Sequence, residues 1–360
     1  MNVKQVDIHY NSNDSGLYQQ LFLPLQSLFS SQLFEDWSVS REWQHGPHYR
    51  LLLNTDSHFY SDDLLAQALS RIDDFFTSCP SPELDIDNHR LKQKKLMVIE
   101  KVSLDPEMVE QNNTVRVTDT QASKLGQRYE SQQQWRSVFE ANCRLRPLLL
   151  TMGAETSRNA DQQRFNLMML LACIYQPKPS NDPEVGEYNG FLSYHSNFTF
   201  WAHSLGASAQ TEVEEKFDKK YQQDAGNLTA WLAALQAELQ SDNPFLCRYG
   251  AWLKAHFLDF TKLVQDGVIH QRSPYPKQKL ADIREVSAFH KSHFYTRDGQ
   301  AFEFPLDFGS YRWLLNIVYR QFPLLNYTPL DRQYFNYCLS RFERENRQQV
   351  AQLRAALYQC

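Results

Sequence analysis

In the first third of the chain, hydrophobic and polar positions alternate over short runs. Val3 to Tyr10 alternates with period two and predicts a strand. Asn13, Asp14 and Ser15 offer caps for a helix carrying Leu17, Leu21, Phe22, Leu25 and Leu28 at helical spacing. Pro24 falls inside that pattern, so a kink or a late start is expected there. Trp37 to Trp43 alternates again, Gly46-Pro47 is turn chemistry, and His48 to Leu53 predicts the next strand. Ser61-Asp62-Asp63 opens a second helix through Leu64, Leu65, Ala68, Leu69 and Phe75. Ile99 to Val102 and Val115 to Val117 read as further strands.

Farther along, the pattern turns helical. Gln132 to Thr151, Asp161 to Ile174, Leu228 to Leu239 and Asn243 to Val268 each carry apolar stripes. The last has Pro244 in its first turn and Gly267 near its end. Tyr175 to Glu187, with Pro177, Pro179 and Pro183, reads as a loop, and Asp298-Gly299 as a turn between short extended pieces. Ser310 to Phe322 predicts a helix. Thr328-Pro329 then caps a long amphipathic one through Tyr334, Cys338 and Phe342. The fold class is helix-rich α+β. The chain reads as one composite domain over 1–360, its strand-and-helix part over 1–110 grading softly into a mainly helical part over 111–360.

Composition narrows the chemistry. At 360 residues the chain can bury a sizeable core. Glycine is scarce, which leaves little room for Gly-rich phosphate loops. The formal net charge is −5 and the densest basic run, Lys92 to Lys95, reads as a solvated helix face or loop. Nucleic acid is therefore not an expected partner. No stretch approaches the roughly 18 apolar residues of a membrane span, and the N-terminal residues hold no apolar signal core. A cytoplasmic protein is expected. Cys79, Cys143, Cys173, Cys247, Cys338 and Cys360 are widely and irregularly spaced. That spacing predicts reduced, mostly buried thiols rather than a disulfide framework or a zinc cluster.

No nucleophile elbow, P-loop, zinc-protease or dinucleotide motif is present. His290 and His293 could bind metal on a helix, but no paired carboxylate or Cys accompanies them, so no metal or organic cofactor is expected. His195 and His203 flank the aromatic segment YHSNFTFWAHS, where a structural role competes with a catalytic one. Asp85 and Asp87 read as loop carboxylates. The most informative segment is WQHGPHYRLLL, Trp43 to Leu53. A strand after the Gly-Pro turn puts His48 and Arg50 on one face and Tyr49 and Leu51 on the other. Such a strand suits a polar cleft; a solvated edge strand is the plainer alternative.

GPHYRLLL resembles the G-P-H-L-R-L-R-F segment of the elimination domain of lantibiotic dehydratases, which also occurs as separate chains in thiopeptide and related pathways. Other features follow in the same order. LYQQLFLPLQSLFSSQLFEDW looks like the family's first helix, and SDDLLAQALSRIDDFF like the helix after the strand. LGQRYESQQQW resembles a weakened E-x-x-R-Y-G-G element. SYHSNFTFWAHSL resembles a later Ser/His-containing helix, and YRWLLNIVYRQFPLLNYTPLDRQYF the closing helix, turn and helix. The resemblance spans nearly the whole chain through short motifs and implies a mixed or antiparallel sheet covered by helices.

It also implies an activity on a leader-bearing precursor peptide of ribosomal origin. In that family the domain removes glutamate from glutamylated Ser or Thr, leaving dehydroamino acids. Arg50 and Arg128 match two family arginines, and the planar fork of Arg suits a departing carboxylate. The expected catalytic set is Arg50, Arg128, His48 and His195, with Tyr129, Tyr319 and Arg320 placed to bind substrate. Several family positions differ. Leu52 replaces the second strand arginine, Leu125 the motif glutamate, and Glu130-Ser131 the two glycines. Those departures keep two alternatives open. One is a pyridine-forming or other cyclisation enzyme, which joins two dehydroamino acids and expels the leader. The other is a non-catalytic peptide-binding partner of a larger glutamylating dehydratase.

Overall fold

A computed structural model describes residues 1–30, 36–100, 103, 105–121, 131–155, 159–179, 187–241, 243–269, 289–290 and 305–360. The chain divides into two compact units. The first comprises Met1–Ser157 with 317–326, and the second Arg158–Asn316 with Tyr327–Cys360.

The first unit is built on a four-stranded antiparallel sheet in the order β2-β3-β1-β4. The strands are β1 (Asn2–His9), β2 (Trp37–Glu42), β3 (His48–Asn54) and β4 (Thr114–Gln121). Their alternation is the one expected from the sequence. Val6, Ile8, Tyr49, Leu51, Leu53, Trp37 and Val39 are buried on one face. Burying an aromatic or aliphatic side chain of this size stabilises the fold by about 2–3 kcal/mol, and that drive fixes the register. Helices cover this face. Phe22 packs edge-on to Tyr49 at 5.1 Å, Phe29 to Trp37 at 5.0 Å, and Phe75 of α3 (Asp62–Ser78) lies 5.2 Å from Tyr10.

The first helical run begins where the caps predicted, with the Asp14 carboxylate accepting from the Leu17 amide. Short α1 (Ser15–Leu17) widens into a π turn over Tyr18–Phe22 and returns to α geometry as α2 (Leu23–Ser30). Pro24 explains the widening. It has no N–H, and its ring would press on the carbonyl four residues back in an α-helix. Helix α4 (Ile86–Glu100) corrects one expectation, since Ile99 and Glu100 end a helix rather than begin a strand. The run KQKKLMVIE is rich in good helix formers, which continue the helix already under way. Lys92, Lys94 and Lys95 lie exposed on it. At one end of the sheet's other face, Trp135, Phe139 and Cys143 of α5 (Gln132–Ala154) cluster with Val3 and Leu52.

The second unit is helical. Its axis is α6 (Ala160–Cys173), buried on every side from Phe165 onward, as its all-round apolar sequence requires. Around it lie α7 (Gly190–Ser204), α8 (Ala207–Gln240), α9 (Pro244–Gln265), α11 (Pro329–Glu345) and α12 (Arg347–Gln359), with the first turns of α10 (Leu306–Gln321). Helix α8 starts well before the predicted Leu228. Its early turns are charged and bury only Phe217 and Tyr221, too sparse a stripe to read alone. Gly190 is required by contact, because a methyl group there would run into the backbone of Ala172 on α6. Thr328 and Asp331 form a capping box at the start of α11.

Cys247 and Cys360 form a disulfide with Cα atoms 5.5 Å apart, which corrects the expectation of thiols throughout. Their separation of 113 residues hides the pairing, since only the packing of α12 beside the start of α9 brings them together. Cys79, Cys143, Cys173 and Cys338 take no part in a disulfide. Among the described residues no helix is long and apolar enough to cross a membrane.

Candidate functional site

The polar face of the first unit's sheet gathers side chains from adjacent strands. The register sets Asp7 opposite Arg50 and His9 opposite His48. The turn before β3 uses left-handed backbone at His45 (φ 60°) and Gly46 (φ 111°), which delivers His48 at the strand's first position. His48 Nδ1 lies 2.9 Å from the Gly46 carbonyl, so it carries the proton and donates. His48 Nε2 then accepts from Arg50 Nη2 at 3.1 Å. Arg50 also donates to Asp7 from Nε at 2.8 Å and from Nη2 at 3.2 Å, and Gln5 donates to the same carboxylate at 2.7 Å. The His9 ring stands 5.0 Å from that of His48, and its buried Nδ1 meets no partner among the described residues.

Burial governs the protonation of this cluster. His9, His48 and Asp7 are 3%, 2% and 6% exposed. Loss of solvent, helped by repulsion from His48, lowers His9 to about 4. Burial likewise lowers His48 against the pull of Asp7. Burial works to raise the Asp7 carboxyl, but hydrogen bonds and charge from Arg50 outweigh it and hold the group below its usual value. At neutral pH the cluster holds two neutral imidazoles beside a closed ion pair. Asp7 and His9 were not singled out from the sequence. The signal was there, since V-K-Q-V-D-I-H puts Gln5, Asp7 and His9 on one side of a strand.

The second unit holds a cleft of about 630 Å³ walled by α7, the start of α8 and α11. His195 and Thr199 enter it from α7, Glu214 from α8, and Tyr337, Arg341 and Arg344 from α11. Phe198 and Tyr337 meet edge to face at 5.0 Å in its wall. His195 packs against Phe289 at 4.5 Å. Arg341 is engaged through Nε and Nη1. It bonds Asp218, reaches Glu345 at 3.0 Å and the Tyr337 hydroxyl at 3.3 Å, and lies 4.5 Å from the Tyr221 ring centroid. Burial works to raise Glu345, but hydrogen bonds from Tyr221 and Arg341 outweigh it and keep the carboxylate below its usual value. Arg344, one turn on, is exposed and among the described residues spends only Nε, on the Ser340 carbonyl at 3.2 Å.

Of the residues singled out from the sequence, His48 and Arg50 come together in the first unit, and His195 lines the cleft of the second. Tyr319 is buried near the end of α10 with its ring 5.3 Å from Phe322, and Arg320 beside it is exposed. Arg128, Tyr129 and His293 lie outside the described residues. Among the described residues no three His, Cys, Asp or Glu side chains gather as a metal site.

No family model and no curated protein matches the chain. Solved structures do. The chain is similar to TbtD, the pyridine synthase from thiomuracin biosynthesis, with a TM-score of 0.67 and 13% identity over 96% of this chain and 99% of that one. It is also similar to TsrL, with a TM-score of 0.54 and 14% identity over 99% of both chains. At such identities the likeness is one of fold. The helix-rich α+β architecture with its small antiparallel sheet is shared over essentially the full chain.

Proposed function

We propose that the chain modifies a precursor peptide in a thiopeptide-type pathway, and that its reaction is the joining of dehydroamino acids in a pyridine-forming or related cyclisation. The observation that carries this reading is the whole-chain likeness to a pyridine synthase, which covers both chains almost completely. The sheet cluster weighs against the elimination first expected from the motifs. An eliminating site needs an arginine fork for the departing glutamate, and Arg50 spends Nε and Nη2 on Asp7. Cyclisation asks instead for shape, orientation and a few hydrogen-bond donors. The cleft of the second unit offers these in His195 and Thr199, with the Tyr337 ring shaping its wall.

The test is incubation of the protein with a dehydrated precursor peptide and, separately, with a glutamylated one, followed by mass spectrometry. Release of the leader together with a ring-containing core is expected from the first. Loss of glutamate from the second, with the first unchanged, would return the assignment to elimination. The internal Asp7–Arg50 pair also suits a non-catalytic partner that only holds the peptide. That reading is distinguished by tight peptide binding with no change in either substrate.

A further inference from the structure

Two arginines stand one helical turn apart on α11, facing the same cleft, and they differ in what holds them. Arg341 is surrounded by Asp218, Glu345 and Tyr337. Arg344 gives one Nε hydrogen bond to a backbone carbonyl, and its terminal nitrogens meet no acceptor among the described residues. Thr199, half-buried on the opposite wall, likewise has no hydrogen-bond partner for its hydroxyl there. Phe198 and Tyr337 give the same cleft an aromatic wall.

We infer that this cleft binds an acidic peptide segment, with one carboxylate held by Arg344 and Thr199 and an adjacent flat side chain laid against Phe198 and Tyr337. The inference rests on the reading that the cleft receives the peptide. A guanidinium with both terminal nitrogens open matches the two oxygens of a carboxylate in a bidentate fork. The charge of the site limits the ligand. Glu214 and Glu345 also line the cleft, so a singly charged carboxylate fits beside them, whereas a doubly charged phosphate would be repelled. The aromatic pair favours a flat apolar neighbour, since ring faces and edges gain most from planar partners.

The experiment uses the full chain and two defined probes, the acetylated and amidated tetrapeptide Glu-Phe-Glu-Phe and its isostere Gln-Phe-Gln-Phe. Affinities are read by calorimetry at low and at moderate salt. The acidic peptide is expected to bind on the order of tenfold tighter, the gap narrowing as salt rises. R344Q should abolish the gap, R344K should keep part of it, and T199V should shrink it less. Thermal melts check that each variant is folded. Equal affinity for the two peptides, no measurable binding of the acidic one, or a gap that survives in R344Q would overturn the inference. Turnover of the dehydrated precursor is assayed alongside. Turnover without charge discrimination removes the carboxylate site and leaves the cyclisation, whereas discrimination without turnover keeps the site and removes the cyclisation.

Discussion

The sheet cluster of the first unit and the cleft of the second use the same residue types for opposite ends. Around Asp7 the polar groups close on one another. Arg50 holds both carboxylate oxygens through Nε and Nη2, His48 is bound at both ring nitrogens, and the buried His9 Nδ1 meets no partner among the described residues. Around Phe198 and Tyr337 the matching stops short: Arg341 is paired with two carboxylates, whereas among the described residues no acidic side chain bonds Arg344. The lesson is that a charged residue on a promising strand is not thereby a site. Arg50 sits in the most suggestive motif of the chain and is absorbed by its neighbour, whereas Arg344 sits in an ordinary charged helix and retains capacity for a ligand.

Removing the partner that closes the first cluster should have the largest effect on the fold. Asp7→Asn leaves Arg50 partly buried without its counter-charge, and a loss of about 3 kcal/mol in unfolding free energy is expected, since breaking one side of a buried pair strands the other. Replacing both, as Asp7→Asn with Arg50→Met, should recover much of that loss. Urea denaturation of the single and double variants decides it. If Asp7→Asn is neutral, the pair is not structural and Arg50 returns as a candidate for substrate.

Next in size is the wall of the cleft. Gly190→Ala places a methyl group against the Ala172 backbone, and α7 must move away from α6. A destabilisation of about 2 kcal/mol is expected, together with weaker peptide binding, because His195 and Thr199 ride on α7. Unchanged binding in a destabilised variant would show that the cleft does not depend on how α7 is seated.

How much of this was legible beforehand follows from what each signal requires. The β3 strand was plain from GPHYRLLL, because alternation and turn chemistry are local. Asp7 and His9 follow from the same rule, because alternation along β1 puts them on one side of the strand. His195 stood out through its aromatic surroundings, and it does line the cleft. Arg341 and Arg344 gave no signal. The run R-F-E-R-E on an amphipathic helix reads as solvated charge, and only tertiary packing separates the paired arginine from the open one. The disulfide was illegible for the same reason, as two distant cysteines announce nothing until α12 is seen to lie beside α9.

A smaller effect tests the cluster's protonation. The folded state lowers His9 to about 4 from 6.5, while the unfolded chain takes up its proton below about 6.5. More protons are bound on unfolding across that window, so stability should fall as the pH drops from about 6.5 toward about 4. His48, also lowered, adds to the same trend, and the lowered Asp7 extends it below its ordinary value of 3.8. The groups acting on His9 are His48 and Arg116, which oppose its charge, and Asp7 and Glu110, which favour it. Denaturation curves taken at about pH 7.5 and about pH 5 should show the loss, and His9→Asn should make it shallower. An identical slope in His9→Asn would place the pH dependence elsewhere.

The smallest expected effect is the most telling for the comparison. Arg344 is exposed and spends one nitrogen on a helix carbonyl that lies on its own helix, so removing its guanidinium strands nothing in the interior. Arg344→Gln should therefore change the unfolding free energy by no more than about 0.5 kcal/mol, the usual range for a surface substitution away from special features. Its neighbours should not suffer, because Glu345 keeps its bonds from Arg341 and Tyr221. Set beside Asp7→Asn in the same urea titration, the two variants separate a charge used to build the fold from a charge left available to it. A loss at Arg344 as large as that at Asp7 would show that this guanidinium is also structural, and the contrast between the two regions would collapse.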